Sequence, residues 1–383
     1  MSDQEFLRYP DLARRDRGGA VVYANDESFA QRENLITPGP AAFDPADFGH
    51  KGKVYDGWET RRRRTPGHDH AVVRLGTPGV VRGVVVDTAW FTGNYPPEVS
   101  VEGAGIEGHP APEDLAAAEW TTLVPRSPVK GDTANAFPVA DGRRYTHVRL
   151  TIHPDGGVAR FRVHGEAVPD PRLLVPGALD LAALENGGRV TGCSNEFYSS
   201  PTSVISPGLT RSMGEGWENA RRRDGGNDHV EIALAAAGEV RLLEVDTSYF
   251  LFNAPGEVRV SGCDTTAADP ADPDAWTVLL DRTPVRPDTR HRFPVAAARP
   301  VDRLRLDVYP DGGIARFRAY GAPSAEGRAA LWLRWIDTLP EAQARTALAD
   351  LGVTPEETAD LLARRPLAGT GDLPAALAAA VRG

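Results

Sequence analysis

The sequence lacks the features that define several large classes of protein. Only two of its 383 residues are cysteines, Cys193 and Cys263, so it has neither a disulfide framework nor a paired-cysteine zinc motif. It has no apolar run long enough to cross a bilayer, and its N-terminus lacks the apolar core of a secretion signal. We therefore expect a cytoplasmic protein that does not enter a membrane.

The chain also lacks an excess of positive charge. Its 43 Lys and Arg residues are outnumbered by 53 Asp and Glu residues, which gives a net charge of −10. This balance argues against a general nucleic-acid or membrane-surface binder. Glycine-rich phosphate loops and nucleophile elbows are missing as well. The arginines are nevertheless clustered, so the composition remains compatible with a local site for a small anion.

What the sequence does contain is a long internal duplication. Three blocks occur twice in the same order: Gly-Trp-Glu with an arginine run at 57–64 and 216–223, Asp-Thr with two aromatic residues at 87–91 and 246–250, and Pro-Asp-Gly-Gly with Ala-Arg-Phe-Arg at 154–162 and 310–318. Such long repeats each need a core of their own, unlike the short units of a solenoid. Residues kept in both copies become the first candidates for function.

The spacing of the blocks places the domain limits. The offset between the copies falls from 169 residues at Thr37 and Ser206 to 159 at Gly57 and Gly216, so the first copy carries ten additional residues between Pro40 and Asp56. We divide the chain into a segment 1–17, repeats 18–168 and 187–322, a linker 169–186 and an extension 323–383.

The repeats have the pattern of strands. Short β-branched segments bounded by Gly, Pro or Asn lie at 71–75, 80–86, 98–102 and 147–153, with counterparts at 229–234, 240–246, 257–261 and 302–309. This pattern predicts an all-β fold of two tandem jelly-roll β-sandwich domains. Asp155-Gly156-Gly157 and its counterpart at 311–313 predict hairpins. Residues 173–184 predict a short helix, and Thr354 with Glu357 predicts a capping box in a helical C-terminal extension.

The Gly-Trp-Glu block supplies the first candidate site residues. Glu59 is followed by Arg62 and Arg63, and Glu218 is followed by Arg222. Arginine can hold a substrate carboxylate, and glutamate can move a proton or accept hydrogen bonds. The alternative is a core tryptophan beside a solvated basic strand.

His68-Asp69-His70 is the second candidate, with Asn227, Asp228 and His229 in the other copy. Two histidines two residues apart share one face of a strand, which is compatible with a divalent metal. The motif is a weak metal signal, because Asn227 replaces His68, so no cofactor is identified and the metal remains unknown. Asp69 and the histidines serve either as acid–base groups or as hydrogen-bonding groups at a strand end.

Further candidates lie where strands end. Asp87, with Asn94 in the following loop, closes an apolar strand, and Asp246 closes its counterpart. Such positions lie at the rim of a sandwich, where sites form, but an Asp there also ties down the next loop. Arg160 follows the Pro-Asp-Gly-Gly turn and is a candidate for substrate binding.

These blocks together resemble the allantoicase family over residues 5–323. The resemblance rests on Gly-Trp-Glu-Thr-Arg-Arg, the following His-Asp, the segment from Val86 to Pro96 and the Pro-Asp-Gly-Gly turn, each of them doubled. It implies domains like galactose-binding modules, a homo-oligomer, and hydrolysis of allantoate to (S)-ureidoglycolate and urea in allantoin degradation.

The residue types fit that chemistry. Cleaving one C–N bond of allantoate needs arginines for its carboxylate, acceptors for the ureido NH groups and a group that protonates the departing nitrogen. We expect Arg62 or Arg63 to hold the carboxylate, and Glu59 or His68 to handle the proton, in the first copy. The alternatives are a non-catalytic tandem carbohydrate-binding module and a non-enzymatic scaffold.

Overall fold

The computed structural model describes residues 4–174, 179–296 and 299–382. The chain forms two compact units, each assembled from two stretches: Met1–Val168 with Trp335–Leu367, and Pro169–Arg334 with Ala368–Gly383. The residues before position 18, which we set apart as a segment, belong to the first unit. Phe6 and Leu12 are fully buried there, so this segment contributes to the core.

Residues 4–168 of the first unit form eleven strands and one short α-helix, α1 (Pro112–Ala116). The strands are β1 (Ala20–Ala24), β2 (Phe48–Gly49), β3 (Gly52–Lys53), β4 (Trp58–Glu59), β5 (Asp69–Asp87), β6 (Glu98–Ala104), β7 (Thr121–Pro128), β8 (Ala134–Pro138), β9 (Arg144–His153), β10 (Gly157–Val158) and β11 (Arg160–Ala167). Strand β5 joins the two predicted segments 71–75 and 80–86 into one. The all-β prediction is confirmed.

Strand β5 belongs to both layers of the sandwich. Its first part pairs with β1 and β9 in a layer ordered β1-β5-β9-β6-β7, and its second part pairs with β11 and β8. Asp69 at its start faces Ile152, and Asp87 at its end faces Arg160. Because only a short turn separates Ile152 from Arg160, both ends of β5 lie at the same end of the sandwich. We call this end the rim.

The turn at Asp155-Gly156-Gly157 does not form the predicted hairpin. Strand β9 pairs with β5 and β6, β11 pairs with β5, and the intervening β10 pairs with β4. The turn therefore carries the chain from one layer to the other. A Cβ at Gly157 would lie 2.0 Å from a ring carbon of Phe91, so this position requires glycine for close packing. Local turn residues predicted the bend correctly but not the partners of its strands.

The second unit repeats this arrangement. Its strands are β12 (Leu179–Asp180), β13 (Arg189–Cys193), β14 (Asp228–Asp246), β15 (Glu257–Cys263), β16 (Thr277–Pro284), β17 (Arg290–Pro294), β18 (Pro300–Tyr309) and β19 (Arg316–Pro323). Strand β14 corresponds to β5 and pairs with β18 in one part and with β19 and β17 in the other. The turn at 311–313 likewise joins β18 to β19, which do not pair, so that hairpin prediction was also wrong.

Each unit has its own apolar core. Alternate residues of the strands point inward, and Trp58 in the first unit and Trp217 in the second are fully buried. Each core holds more than twenty buried apolar side chains, enough to stabilise a domain of this size by the removal of apolar surface from water.

The helices of the C-terminal extension are α2 (Ala325–Thr338), α3 (Glu341–Ala349), α4 (Pro355–Ala363) and α5 (Ala375–Arg382). The predicted capping box is confirmed at α4, where the Thr354 hydroxyl accepts from the Glu357 backbone N–H and the Glu357 carboxylate accepts from the Thr354 N–H. No helix of the described residues is long and apolar enough to span a membrane.

The helix predicted at 173–184 is absent from the part of that segment that is described. Short 3-10 turns at Pro171–Leu173 and Leu184–Asn186 flank the strand Leu179–Asp180, and positions 175–178 lie outside the described residues. Asp180 explains the strand, because its carboxylate accepts from the Ala319 N–H and so joins it to β19.

Candidate functional site

A buried tryptophan fixes the position of Glu59. The Trp58 indole is fully buried and donates to the Asp26 carbonyl over 2.7 Å. Since successive side chains of a strand point to opposite sides, Glu59 turns away from the core toward the rim. Pairing of β4 with β10 places Glu59 beside Gly157 of the turn between the layers.

Glu59 is partly buried at the rim, and its carboxylate has a short hydrogen bond from Asn94. The Asn94 side-chain amide donates to Glu59 Oε1 over 2.7 Å, and the Asn94 carbonyl accepts from the Gly157 N–H. Burial raises the pKa of Glu59 above its ordinary value, and the bond from Asn94 offsets part of that rise. The structure thus joins two of the predicted residues, and the carboxyl keeps its proton at higher pH than an exposed glutamate does.

Arg63 and Asp69 form a second pair at the rim. The Arg63 Nη1 donates to Asp69 Oδ1 over 2.6 Å, and the Asp69 side chain is only 1% exposed. Asn25 also donates to Asp69 Oδ1, over 2.9 Å, and the Arg63 N–H donates to the Asp155 carboxylate over 2.7 Å. Arg63 is therefore engaged in holding the rim together, and Asp69 is an acceptor with two donors.

The neighbouring arginines differ in their engagement. Arg61 pairs with Asp26 over 2.7 Å. Arg62 is exposed at the rim, and within the described part of the chain no hydrogen bond or ion pair engages its guanidinium. Of the two arginines predicted to hold a carboxylate, Arg62 is thus the exposed one, whereas Arg63 is bound to Asp69 through Nη1.

Asp87 and Arg160 serve the loops of the rim. The Asp87 Oδ1 accepts from the Ala89 N–H over 2.9 Å, which is the loop-tying alternative considered for this residue. Arg160 is 1% exposed and donates to Asp56 and to the carbonyls of Gly39 and Pro40. Its guanidinium anchors the additional residues of the first copy to the sandwich, and these contacts leave little of it for a substrate.

The additional residues of the first copy line the rim with aromatic rings. Phe43 stacks on Tyr55 and on Trp90, with centroid distances of 5.4 and 5.6 Å, and Tyr55 stacks on Phe91 at 4.8 Å. The Trp90 indole donates to the Ala41 carbonyl over 2.9 Å. This stack was not expected from the sequence, since its members are far apart along the chain.

The histidines lie beside these pairs on the outer face of the sheet. His68 is exposed at the entrance to β5, and its ring lies 6.3 Å from that of His70 and 5.5 Å from that of His153, centroid to centroid. Nowhere in residues 4–174, 179–296 and 299–382 do three His, Cys, Asp or Glu side chains come together as a metal-binding group. The structure does not assign a metal to the His-x-His motif.

The second unit holds matching pairs in a different setting. Asn253 donates to Glu218 Oε1 over 2.6 Å, and Arg222 donates to Asp228, which is fully buried, over 2.8 Å. Arg222 also pairs with Asp224 over 2.9 Å, so two carboxylates engage its guanidinium. The structure thereby brings together the same types of residue that it joins in the first unit.

The other predicted residues of the second unit, Asp246 and His229, form hydrogen bonds with nearby serines. The Asp246 carboxylate accepts from the N–H and the hydroxyl of Ser248 and is buried. The His229 N–H donates to the Ser194 hydroxyl, and burial lowers the pKa of its imidazole.

Sequence reasoning missed several partners that both units share. Asn25 and Ser194 each donate to the buried aspartate at the start of the long strand, and Asp155 and Asp311 each accept from the backbone of the paired arginine. The doubled turn contained the signal for the second pair. Asn25 and Ser194 differ in type, so comparing the two copies could not reveal them.

Fold and rim define a class: a duplicated β-sandwich with a carboxylate–arginine site at the end of each unit. The chain belongs to the allantoicase family, because the allantoicase repeat matches residues 10–168 and 179–324. A probable allantoicase of Nocardia farcinica is 57% identical over 82% of this chain and 95% of its own length. One of Streptomyces avermitilis is 52% identical over 87% of this chain and 91% of its own length. The crystal structure of allantoicase from Saccharomyces cerevisiae superimposes with a TM-score of 0.70 at 31% identity, over 82% of this chain and 92% of that one.

Proposed function

We propose that the rim of the first unit hydrolyses allantoate to (S)-ureidoglycolate and urea, with Glu59 as the acid. The observation that carries the assignment is the partly buried Glu59 carboxyl, whose pKa burial raises, in the hydrogen bond from Asn94. A carboxyl whose pKa is raised keeps its proton to higher pH and is therefore better suited to protonate a departing nitrogen.

The reaction divides into two changes at one carbon. The C–N bond to one ureido group breaks as Glu59 donates its proton to the departing nitrogen, which leaves as urea. The other ureido nitrogen supplies electrons to the carbon, and water adds there and loses a proton to the Glu59 carboxylate. The atoms balance as allantoate plus water to ureidoglycolate plus urea, and Glu59 returns to its protonated form.

The arginines have separate duties in this proposal. Arg62, with open donors, binds the substrate carboxylate, for which a guanidinium offers two parallel N–H groups. Arg63 positions the site by holding Asp69 and the turn at Asp155. Asp69 in the first unit and Asp228 in the second each hold an arginine and so maintain the shape of their rim. The carbohydrate-binding alternative is not favoured, because family membership rests on 57% identity to a probable allantoicase.

The test compares matched substitutions in the two units. We expect Glu59→Gln to lower the rate of urea release from allantoate by about 100-fold or more, because glutamine keeps the contact to Asn94 but carries no acidic proton. Glu218→Gln, in the same position of the second unit, should retain near-normal turnover. Equal activity of Glu59→Gln and the parent protein would refute the assignment.

Two further expectations accompany the proposal. From the family we infer a homo-oligomer, which light scattering on the purified protein will test. From the composition we infer a cytoplasmic location, which fractionation of cells will test. Urea release measured with and without a chelator will decide whether a divalent metal takes part. A loss restored by one added metal would identify it.

A further inference from the structure

The outer face of the first unit carries a polar cavity that the reaction at Glu59 does not use. It has a volume of about 500 Å³ and opens on the layer formed by β5, β9, β6 and β7. Its walls include His68, His70, His153, Arg126 and Arg149. A cavity of this size accommodates a small molecule.

The groups that line the cavity are mostly hydrogen-bond donors. Besides the three imidazoles, the hydroxyls of Ser100 and Thr151 line the cavity. The Ser100 hydroxyl lies 3.0 Å from the His153 Nε2. The carboxylates nearby are already neutralised by arginine. Glu102 pairs with Arg149 over 2.6 Å, and Glu98 pairs with Arg126 over 2.5 Å. Protonation of any of the histidines therefore makes the cavity positive.

On the corresponding face of the second unit the polar side chains are paired with one another. Asn227, which replaces His68, donates to Asp307 over 2.9 Å, and Arg305 donates to the same carboxylate over 3.0 Å. Arg282 lies over the ring of Tyr309, which replaces His153, at 4.3 Å from its centroid. The same backbone thus supports either an internally paired face or an open cavity with donors.

We propose that the cavity on the first unit binds a small oxyanion, a carboxylate or a phosphate, through His68, His70 and His153. Both anions present oxygen acceptors to imidazole and hydroxyl donors. The inference does not rest on the proposed function, since it concerns a different set of side chains.

Binding should strengthen as the pH falls. Burial, together with Arg149, lowers the pKa of His70, and burial, together with Arg126, lowers that of His153. Asp69, Glu98 and Glu102 act in the opposite direction on these rings. An anion in the cavity favours the charged imidazoles, so it should raise their pKa values, and it should bind about tenfold more weakly at pH 8 than at pH 6.

Calorimetry with inorganic phosphate and, separately, glycolate tests the proposal on the full chain. We expect at least one of them to bind at pH 6, and His153→Tyr, which introduces the residue of the second unit, to weaken that binding about tenfold. His50→Asn removes an exposed histidine that does not line the cavity and should leave binding unchanged.

The two titrations also identify the kind of anion that the cavity binds. Heat with phosphate alone indicates a phosphate site, and heat with glycolate alone indicates a carboxylate site. No binding of either at about 10 mM, or equal binding by the parent protein and His153→Tyr, would overturn the proposal. Ser100→Ala replaces His153→Tyr if that variant does not fold, as judged by circular dichroism.

Discussion

In both units a buried tryptophan places a glutamate beside an asparagine, with nearly equal contacts of 2.7 and 2.6 Å. The surroundings of the two glutamates differ. In the first unit the additional residues pack Phe43 and Tyr55 against the rim, whereas in the second unit Phe252 is 97% exposed. The duplication preserved the contacts that hold a rim together and changed the residues around them.

The arginines show the same difference. Arg222 is engaged by both Asp224 and Asp228, whereas Arg63 has Asp69 as its one carboxylate partner among the side-chain ion pairs of the described residues. Asp224 thus adds a second acceptor to the arginine that holds the rim of the second unit. We therefore expect the second unit to retain the architecture of the rim and to contribute less to catalysis.

Removal of the buried carboxylate charge from each unit is expected to have the largest effect, and it tests whether the two units differ in activity. We expect Asp69→Asn and Asp228→Asn each to lower the free energy of unfolding by about 2 kcal/mol, because each removes the negative charge of a buried carboxylate that pairs with an arginine. Thermal melts of both variants measure this loss. Only Asp69→Asn should also lower urea release strongly, since it loosens Arg63, which holds the turn beside Glu59. Equal loss of activity in the two variants would contradict the assignment to the first unit.

A smaller effect is expected from the exposed arginines. Arg62→Ala should raise the KM for allantoate about tenfold with little change in folding, because it removes a substrate contact and no contact within the described chain. Arg221→Ala is the matched change in the second unit and should leave KM unaltered. Steady-state kinetics on both variants will show whether carboxylate binding depends on Arg62, and an unchanged KM in Arg62→Ala would count against it.

The smallest expected effect is a displacement of the pH profile. Since Glu59 acts protonated, activity should decline as the pH rises through its raised pKa. Asn94 stabilises the charged form, so Asn94→Ala should raise that pKa further and move the alkaline limb to higher pH. Profiles of kcat/KM for Asn94→Ala and Asn253→Ala test this. A limb that moves equally in both, or in neither, would exclude Glu59 as the titrating group.

Much of the fold could be predicted because the same strand pattern occurs in both copies of the repeat. Strand segments and the cap at Thr354 depend on neighbouring residues, and the structure has them where the sequence indicated. Turn residues such as Gly156 also predicted a reversal of the chain, but not whether the flanking strands pair or enter different layers. That choice depends on β5, which lies far away in sequence and takes β9 and β11 as separate partners.

The site could be predicted by residue type and not by role. Glu59 with Asn94, and Arg63 with Asp69, are joined in the structure as members of one rim. The sequence predicted Arg160, like Arg62, to bind substrate. In the structure the Arg160 guanidinium instead donates to Asp56 and to carbonyls more than a hundred positions away. Which guanidinium stays open is decided by long-range packing, which no local pattern records.

The sharing of β5 between the two layers has a consequence for how such a protein can change over time. Asp69 and Asp87 are the two ends of one strand, so their separation is set by that strand and not by the loops around them. A loop can therefore differ by ten residues between the two units, as the segment between Pro40 and Asp56 does, without disturbing the spacing of the acidic groups. The loops of the rim can thus differ in length between the units while the strand that carries both aspartates stays the same length.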